Sequence, residues 1–375
     1  MKIEFYKHNI EQGDIDNVVE VLNSLFLTTG EVVNEFEDRL SRYLGCRYTV
    51  GVTSCTAALH LALLAYGIGS GDEVITTPMT FISSANSIIY AGATPVFVDV
   101  EPETGNINAD LVESAITSKT KAILPVHLYG QMCDMRKIKN IADTHRLAVI
   151  EDAAHALEAV RDSARPGELG DAACFSFYAT KNITSGEGGA ISTNSEEIAE
   201  RLKKLRLHGM SKGAADRYSR RYEHWDMEML GWKYNMSNIQ AALLLNQLER
   251  IERNWQRREA ICRRYEEAFR DNPQVSYPKV LANSKSARHL FTVLVPPEKR
   301  DKILGRLQRK GIGVAVNFRA IHLLTFYRQT FGYKRGMYPI AERIGDSTIT
   351  LPLYPKLSDE EVEYIISAVN ESTAG

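Results

Sequence analysis

The feature that most constrains the fold is an alternation of two patterns between residues 45 and 195. Short apolar segments rich in β-branched residues alternate with segments of helical periodicity, such as AALHLALLAY (57–66) and DMRKIKNIADTH (134–145). The short segments are TVGVT (49–53), EVITT (73–77), TPVFVDV (94–100), KAILPVH (121–127), LAVIED (147–152), AACFSF (172–177) and GAIST (189–193). Strands that alternate with helices form βαβ units. We therefore predict an α/β fold with a mostly parallel, seven-stranded sheet that is covered by helices on both faces.

The pattern changes after about residue 240. The segment 238–269 has apolar residues at helical spacing, and a helix of that length is expected to bend or to connect two domains. A strand region marked by prolines, a helix at about 298–310 and a last helix that opens at Ser358 follow. At 375 residues the chain exceeds what one core usually serves. We predict a large domain of residues 1–240 and a smaller α+β domain of residues 241–375.

Composition excludes several classes of protein. A formal net charge of -2 gives no attraction to nucleic acid or to a membrane surface, and neither partner is expected. The sequence has no run of about 18 uncharged apolar residues, so no membrane-spanning segment is predicted. The five cysteines are scattered without a CxxC pair, which favours reduced thiols in a cytoplasmic protein over disulfides or a zinc or other metal site.

The first strand-to-helix turn, GVTSCTAALHLAL (51–63), is a candidate phosphate site. Ser54 and Thr56 lie where the helix begins, and free N–H groups at a helix start suit an anion. A hydroxyl residue that only caps the helix explains the same pattern. The turn alone does not decide between the two interpretations.

The end of a predicted buried strand, VIEDAAHA (149–156), carries two adjacent carboxylates. Side chains alternate across a strand, so only one of Glu151 and Asp152 can face a ligand at the sheet edge. Such a carboxylate can pair with a cation, for example a protonated ring nitrogen. A salt bridge to a neighbouring loop is the alternative.

The segment FSFYATKNITSGEGGAIST (175–193) places a lysine between a strand and a glycine-rich turn. Ser176 ends the strand and Lys181 follows in the loop. If Lys181 is buried, desolvation lowers its pKa and frees the amine as a nucleophile. The alternative is a surface lysine that precedes a turn.

Taken together, these segments resemble one known family. SCTAALHLAL, TTPMTFISSANSIIYAGATPVFVDV (76–100), PVHLYGQ (125–131), IEDAAHA and SFYATKN with the following GEGG are similar to the DegT/DnrJ/EryC1/StrS sugar aminotransferases. These are pyridoxal 5'-phosphate (PLP) enzymes of fold type I. The similar segments occur in the family's order over nearly the whole chain.

The resemblance implies a role for each matching residue. Lys181 would form the internal aldimine with PLP and move the proton between cofactor and substrate carbons, with pyridoxamine phosphate formed in the half-reaction. Asp152 would pair with the pyridinium nitrogen so that the ring acts as an electron sink. The remaining cofactor contacts implied are the phosphate turn Ser54, Cys55 and Thr56 with Ser176, then Phe81 on the ring face and His155 beside the ring oxygen.

Two positions depart from the family pattern. Cys55 stands where many members have glycine, a small-for-small change that we expect to be tolerated. Lys233 stands where many members carry an asparagine that reaches the phosphate of the neighbouring subunit. Because Asn235 is two residues further on, either side chain could serve in an extended segment. The resemblance also implies a homodimer with active sites shared across the interface.

The activity implied is transfer of an amino group, with L-glutamate as the expected donor, to a UDP- or dTDP-linked 3- or 4-keto-sugar for amino-sugar and surface-glycan biosynthesis. Substrate contacts are assigned by resemblance to Tyr6, Thr29, Asn317, Arg319 and His322, although such residues are often only solvated. Family members that dehydrate sugars carry histidine in place of the lysine, so Lys181 argues against dehydration. A non-nucleotide ketone such as an inosose stays open as substrate, as does a non-catalytic binding or regulatory protein, which would not need Lys181 and Asp152.

Overall fold

A computed structural model describes residues 1–211 and 224–374 of the chain. Its helices are α1 Gln12–Leu22, α2 Glu31–Leu44, α3 Cys55–Ala65, α4 Ile82–Tyr90, α5 Ala109–Val112, α6 Met135–His145, α7 Glu196–Leu205, α8 Asn238–Glu249, α9 Ile251–Phe269, α10 Arg300–Arg309, α11 Thr325–Phe331, α12 Pro339–Ser347 and α13 Asp359–Thr373. Its strands are β1 Tyr48–Val52, β2 Glu73–Thr76, β3 Thr94–Phe97, β4 Thr120–Ile123, β5 Ala148–Asp152, β6 Val160–Arg161, β7 Ala172–Ser176, β8 Gly189–Thr193, β9 Ser284–Lys285, β10 Phe291–Leu294 and β11 Thr348–Leu351.

Seven of these strands form one sheet in the order β1-β8-β7-β5-β4-β2-β3. Neighbouring strands run parallel except for β8, which is antiparallel to both β1 and β7. The seven strands predicted from the sequence are the seven strands of this sheet, so the α/β prediction is confirmed. Since six strands run the same way, their carboxyl ends share one edge of the sheet.

Helices cover both faces of the sheet, as the apolar character of the strands requires. Along β5, the side chain of Val149 belongs to a core shared with α2, α6 and α8. The next side chain, Ile150, belongs to the opposite core, which is shared with α3. This alternation follows from the two-residue period of a strand, and it buries strands on both sides as in other parallel sheets.

The long helical segment after residue 237 is interrupted as predicted. Helix α8 ends at Glu249 and α9 begins at Ile251, with Arg250 at φ -100° and ψ 10° between them. Side chains of α8 pack in the core shared with α2 and α6. Those of α9 from Ile261 onward pack in a separate core near the carboxyl terminus. The interruption therefore lies between two cores.

The carboxyl-terminal core is built from α9, α10 and α13 around an antiparallel pair formed by β10 and β11. Ser358 caps α13 by accepting a hydrogen bond from the Glu361 N–H, as the sequence predicted. A division into domains at residues 240 and 241 stays a prediction. No helix among residues 1–211 and 224–374 is both long enough and apolar enough to cross a membrane.

Candidate active site

A cavity of about 500 Å³ opens at the carboxyl edge of β1, β5 and β7. The turn before α3, the end of β5 and the loop after β7 form its walls, with segments near residues 289 and 317 from the carboxyl-terminal part. The structure brings nine of the predicted site residues together there: Ser54, Cys55, Thr56, Phe81, Asp152, His155, Ser176, Lys181 and Asn317. Segments that are far apart in sequence converge because parallel strands end at a common edge.

Asp152 is the carboxylate of β5 that faces this cavity, and it is only 4% exposed. Ser84 donates a hydrogen bond to Oδ2 at 2.7 Å, and the Ala154 N–H donates to Oδ1 at 3.1 Å. The Cys55 thiol lies 3.9 Å from Oδ1, but the Cys174 carbonyl is nearer to it, at 3.6 Å. Ser84 and Ala154 thus fix the orientation of the Asp152 carboxylate at the cavity.

Glu151, its neighbour in β5, points to the other side of the sheet and has a structural role. Its Oε2 lies 2.7 Å from His127 Nε2, and its Oε1 accepts from the N–H groups of Gly167 and Gly170. With no exposed surface, Glu151 fixes the chain between β5 and β7. The strand pattern left open which of the two carboxylates faces the cavity, whereas the family resemblance pointed to Asp152, and Asp152 is the one that lines the cavity.

The turn before α3 has features of both structures that the sequence allowed, a helix cap and a phosphate site. Ser54 caps the helix, because its Oγ accepts from the Ala57 N–H at 3.1 Å. Ser54 and Thr56 also line the cavity, and the Ser54 hydroxyl can still donate a hydrogen bond. A Cβ atom on Gly189 would lie 2.5 Å from the Ser54 carbonyl carbon, so glycine is required where β8 passes the turn. Backbone and hydroxyl donors are thus packed tightly around the helix start.

Lys181 lies in the same cavity, half-buried, in the loop that follows β7. Burial lowers the pKa of its amine to about 8, against opposing effects of Cys55 and Asp152. A lysine with such a pKa is a free amine in a useful fraction of molecules near neutral pH, which is what a nucleophile or a base requires.

Aromatic rings frame the cavity above Asp152. Phe81 is 54% exposed, and its ring centroid lies 5.9 Å from that of Phe318. His155 stacks on Phe318 with centroids 5.8 Å apart. The Tyr129 N–H donates to His155 Nδ1 at 3.2 Å, so a neutral His155 carries its proton on Nε2. Burial, and then the charge of Lys181, lower the pKa of His155 well below its usual value, so this ring is a neutral donor.

Four predicted site residues, Tyr6, Thr29, Lys233 and Asn235, are not among the residues that line the cavity. Thr29 donates to the Met236 carbonyl at 2.6 Å, and Asn235 donates to Thr29 Oγ1 at 2.6 Å. Lys233 is exposed, and so is Tyr6. The backbone of Asn235 pairs with Val52 of β1, just before the phosphate turn. Its side chain bonds to Thr29, and the contact of Lys233 or Asn235 with a partner's phosphate stays a prediction.

Two further predicted residues lie elsewhere in the carboxyl-terminal part. Arg319 lines a separate cavity of about 350 Å³ together with Leu323, Arg328, Lys334 and Arg335. His322 is fully buried, with Nε2 3.0 Å from Glu342 Oε1. That placement favours a structural role for His322, and its substrate contact stays a prediction.

The cavity also contains residues that the sequence did not single out. They are Phe5, Thr80, Ser83, Tyr178, Thr180, Glu187 and His289. Thr80 lies 2.8 Å from Ser84 Oγ and so extends the hydrogen-bond chain to Asp152. Tyr178, Thr180 and Glu187 stand within the quoted SFYATKN and GEGG segments, so their place in the motif was a usable signal. Phe5 and His289 lie far from the motifs in sequence, and no local sequence pattern marks them as site residues.

The donor set of the cavity fits PLP. A helix start with Ser54, Thr56 and Ser176 suits its phosphate, and Asp152 suits the pyridinium nitrogen. Lys181 supplies the amine that such a cofactor needs, and Phe81 offers an exposed ring for stacking. The fold and the site together define the class of PLP-dependent aminotransferases.

Comparison with known proteins gives the family. The sequence profile of the DegT/DnrJ/EryC1/StrS aminotransferase family matches residues 8–370, and the chain belongs to this family. It is 44% identical over 372 residues to the spore coat polysaccharide biosynthesis protein SpsC of Bacillus subtilis, covering 98% of this chain and 96% of SpsC. The predicted family and the predicted enzyme class are confirmed.

Solved structures agree with this assignment. Spr1654 from Streptococcus pneumoniae in its PMP form superposes with a TM-score of 0.94 at 35% identity, covering 99% of each chain. PseC from Helicobacter pylori, an aminotransferase involved in the biosynthesis of pseudoaminic acid, superposes with a TM-score of 0.93 at 31% identity, covering 100% of this chain and 99% of PseC. The chain is thus a PLP-dependent aminotransferase of a family that acts in sugar biosynthesis.

Proposed function

We propose that this enzyme transfers an amino group from L-glutamate to a nucleotide-linked keto-sugar. The observation that carries the proposal is Lys181, whose pKa is lowered to about 8 in a cavity that also holds Asp152 and the phosphate turn. Relatives in polysaccharide and pseudoaminic acid biosynthesis support a sugar as the amino acceptor. Amino-sugar formation for surface glycans, in the cytoplasm, is the proposed setting.

The proposed roles of the residues follow from their surroundings. Lys181 would join PLP covalently, and its Nζ would take and return the proton at the reacting carbons. Asp152, oriented by its hydrogen bonds from Ser84 and Ala154, would hold the ring nitrogen. His155 would offer its Nε2–H to the ring oxygen. PLP itself supplies the electron sink that makes these proton transfers possible.

Phosphate recognition would combine the start of α3 with hydroxyl groups. Ser54 and Thr56 lie at the helix start, and Ser176 comes from the end of β7. The positive end of the helix dipole and the free N–H groups favour an anion there. Lys181 is the one cationic side chain that lines the described cavity. A second subunit is therefore proposed to add Lys233 or Asn235 in a homodimer with shared active sites.

The sugar nucleotide would lie toward the mouth of the cavity. Asn317 lines it, and Arg319 follows two residues later in the chain at the second cavity. Arg319, Arg328 and Lys334 form no ion pair with any described acidic residue, and their positive charge suits a diphosphate. Tyr6 and Thr29 stay proposed contacts from either subunit. These charges favour a nucleotide-linked sugar over an uncharged inosose.

Two alternatives differ in what they require of the site. An inosose aminotransferase would use the same Lys181 chemistry without a contact for a diphosphate. A non-catalytic binding or regulatory protein would not need a reactive amine in the same cavity as a buried carboxylate. The hydrogen-bonded Asp152 and the lowered pKa of Lys181 favour an enzyme.

The experiment is a substrate panel. The enzyme loaded with pyridoxamine phosphate is mixed with 3-keto and 4-keto sugars linked to UDP or dTDP, with the matching sugars lacking a nucleotide, and with an inosose. Return of the visible absorbance of bound PLP reports amination. We expect the absorbance of bound PLP to return with a nucleotide-linked keto-sugar and not with the nucleotide-free sugars. Return with the inosose alone would contradict the proposed substrate.

A further inference from the structure

His289 is a buried titratable group for which no role has been assigned so far. It precedes β10, it is 5% exposed, and it lines the cavity that contains Lys181. Its ring centroid lies 4.4 Å from that of His155. Behind it, Nδ1 lies 3.1 Å from Asn182 Oδ1. The Asn182 amide thus contacts Nδ1 of His289, while the residue also lines the cavity.

The hydrogen bonds of Asn182 fix the tautomer of His289. The Asn182 Nδ2 group donates to Glu158 Oε2 at 2.7 Å and to the Ala287 carbonyl at 3.1 Å, and both of these atoms are acceptors. The amide oxygen is therefore the atom turned toward His289, and an amide oxygen can only accept. It follows that His289 Nδ1 carries the proton and that Nε2 of a neutral ring has a free lone pair.

The charges around His289 keep the ring neutral. Burial is the largest cause that lowers its pKa well below the usual value, and the positive charges of Lys181 and Arg258 act in the same direction. Glu158 lies beyond Asn182 and is paired with the buried Arg258. His155 has the opposite tautomer, with its proton on Nε2. Two neighbouring imidazoles therefore offer the cavity one donor and one acceptor.

Lys181 has donors that this acceptor can satisfy. Its Nζ makes no hydrogen bond to any residue of the described ranges. The other titratable groups that line its cavity are Cys55, Asp152, His155, Tyr178 and Glu187. Burying a charged amine without acceptors costs free energy. A lysine side chain has several rotatable bonds, so the amine can turn toward a neighbouring acceptor.

We propose that His289 is a positioning residue, whose Nε2 accepts a hydrogen bond from the protonated amine of Lys181. The inference rests on the proposed role of Lys181 as the reactive amine. The bond holds the protonated Nζ at the wall of the cavity. From there the proton can be returned to a substrate carbon. The amide of Asn182 keeps the acceptor available by holding the proton of His289 on Nδ1.

The test measures the pKa of the Lys181 amine in the PLP-free enzyme, by competitive acetylation across a pH series and mass spectrometry of the peptide that contains it. The matched pair is H289Q and H289N: the longer amide reaches the place of Nε2, and the shorter amide reaches only that of Nδ1. Since one hydrogen bond to the ammonium form is lost, H289N should lower the pKa by roughly 0.5–1 unit, whereas H289Q should stay within about 0.3 unit of wild type. An unchanged pKa in H289N, or equal shifts in both variants, overturns the inference.

A crystal structure of the wild-type PLP-free enzyme at pH 6.5 gives a measurement that does not depend on how the variants fold. Nζ of Lys181 should lie within about 3.3 Å of His289 Nε2, and a separation beyond hydrogen-bond distance overturns the inference. Neither measurement uses PLP or a sugar. Their failure would therefore leave the aminotransferase function standing, and failure of the substrate panel would leave the contact between His289 and Lys181 standing.

Discussion

Ser84, inside helix α4, donates a hydrogen bond of 2.7 Å to Oδ2 of Asp152 at the end of β5. Ser84 is itself fully buried and lies 2.8 Å from the Thr80 hydroxyl. The contact ties a helix on one face of the sheet to the carboxylate at its edge. It therefore fixes the orientation of the group proposed to hold the ring nitrogen of PLP.

Replacing this serine should weaken the site without unfolding it. In Ser84→Ala, Asp152 loses one donor, and a hydrogen bond to a charged group contributes about 1.5–3 kcal/mol. We expect PLP affinity and the rate of the glutamate half-reaction to fall by about tenfold or more. The matched control is Ser87→Ala, since Ser87 is equally buried in α4 and bonds only to the Ser84 carbonyl. Equal effects in both variants would show that the loss comes from α4 and not from Asp152.

The lowered pKa of Lys181 predicts a stability that depends on pH. The pKa of the Lys181 amine is about 8 in the folded state and near 10.5 in the unfolded chain. Between these two pH values the unfolded state therefore binds more protons than the folded state. Burial of the charged amine then costs about 3 kcal/mol at pH 7, and the cost falls as the pH rises through 8 toward 10.5.

Lys181→Met should accordingly stabilise the PLP-free protein at pH 7 and by less than half as much at pH 9.5. Urea unfolding at the two pH values measures the difference. The exposed Lys121→Met serves as the control and should change the free energy of unfolding little at either pH. A stabilisation that is the same at both pH values would mean that the pKa of Lys181 is not lowered.

His322 gives a prediction about the carboxyl-terminal part. Its Nε2 lies 3.0 Å from Glu342, which also accepts from the N–H groups of Gly336 and Tyr338. His322→Ala leaves Glu342 buried with fewer donors and opens a cavity, so we expect a loss of about 2 kcal/mol in the free energy of unfolding. The exposed pair of His145 with Glu113 supplies the control, because His145→Ala should cost little. A tenfold rise in KM for the sugar nucleotide at unchanged stability would instead support a substrate contact.

Shared active sites predict complementation between two inactive variants. Lys181→Ala lacks the reactive amine, and a double variant of Lys233 and Asn235 lacks the groups proposed to reach the partner's phosphate. Subunits mixed in equal amounts should form heterodimers with one intact site each, which restores up to about a quarter of wild-type activity. The readout is activity after unfolding and refolding of the mixture. If each variant is inactive and the mixture stays inactive, the two groups do not act in different subunits.

Much of the fold could be predicted because the central strands are apolar runs with clear ends. The strand that ends in Glu151 and Asp152 and the strand that ends in Ser176 were both predicted, and parallel strands bring their ends together. The alternation of side chains along a strand does not tell whether Glu151 or Asp152 faces the cavity, because it does not fix which face the first side chain takes. The choice of Asp152 came from the family resemblance and not from the strand pattern.

Ser84 and His289 escaped prediction, and so did the burial of His322, because all three depend on tertiary contacts. Ser84 reads as an ordinary polar residue of a helix, and its partner lies 68 positions away in β5. His289 belongs to the chain before β10, and only the packing of the carboxyl-terminal part brings it beside Lys181. His322 follows a loop-like sequence, yet it is buried because Glu342 offers it a partner.

The covalent role of Lys181 is tested most directly by mass spectrometry of the PLP-loaded enzyme after reduction with borohydride. Reduction makes the bond between a lysine and PLP permanent, so peptide mapping identifies the lysine that carries the pyridoxyl group. We predict the added mass on the peptide that contains Lys181, and no modified peptide in Lys181→Ala treated in the same way. A pyridoxyl group on another lysine of the wild-type enzyme, with residue 181 unmodified, would contradict the account.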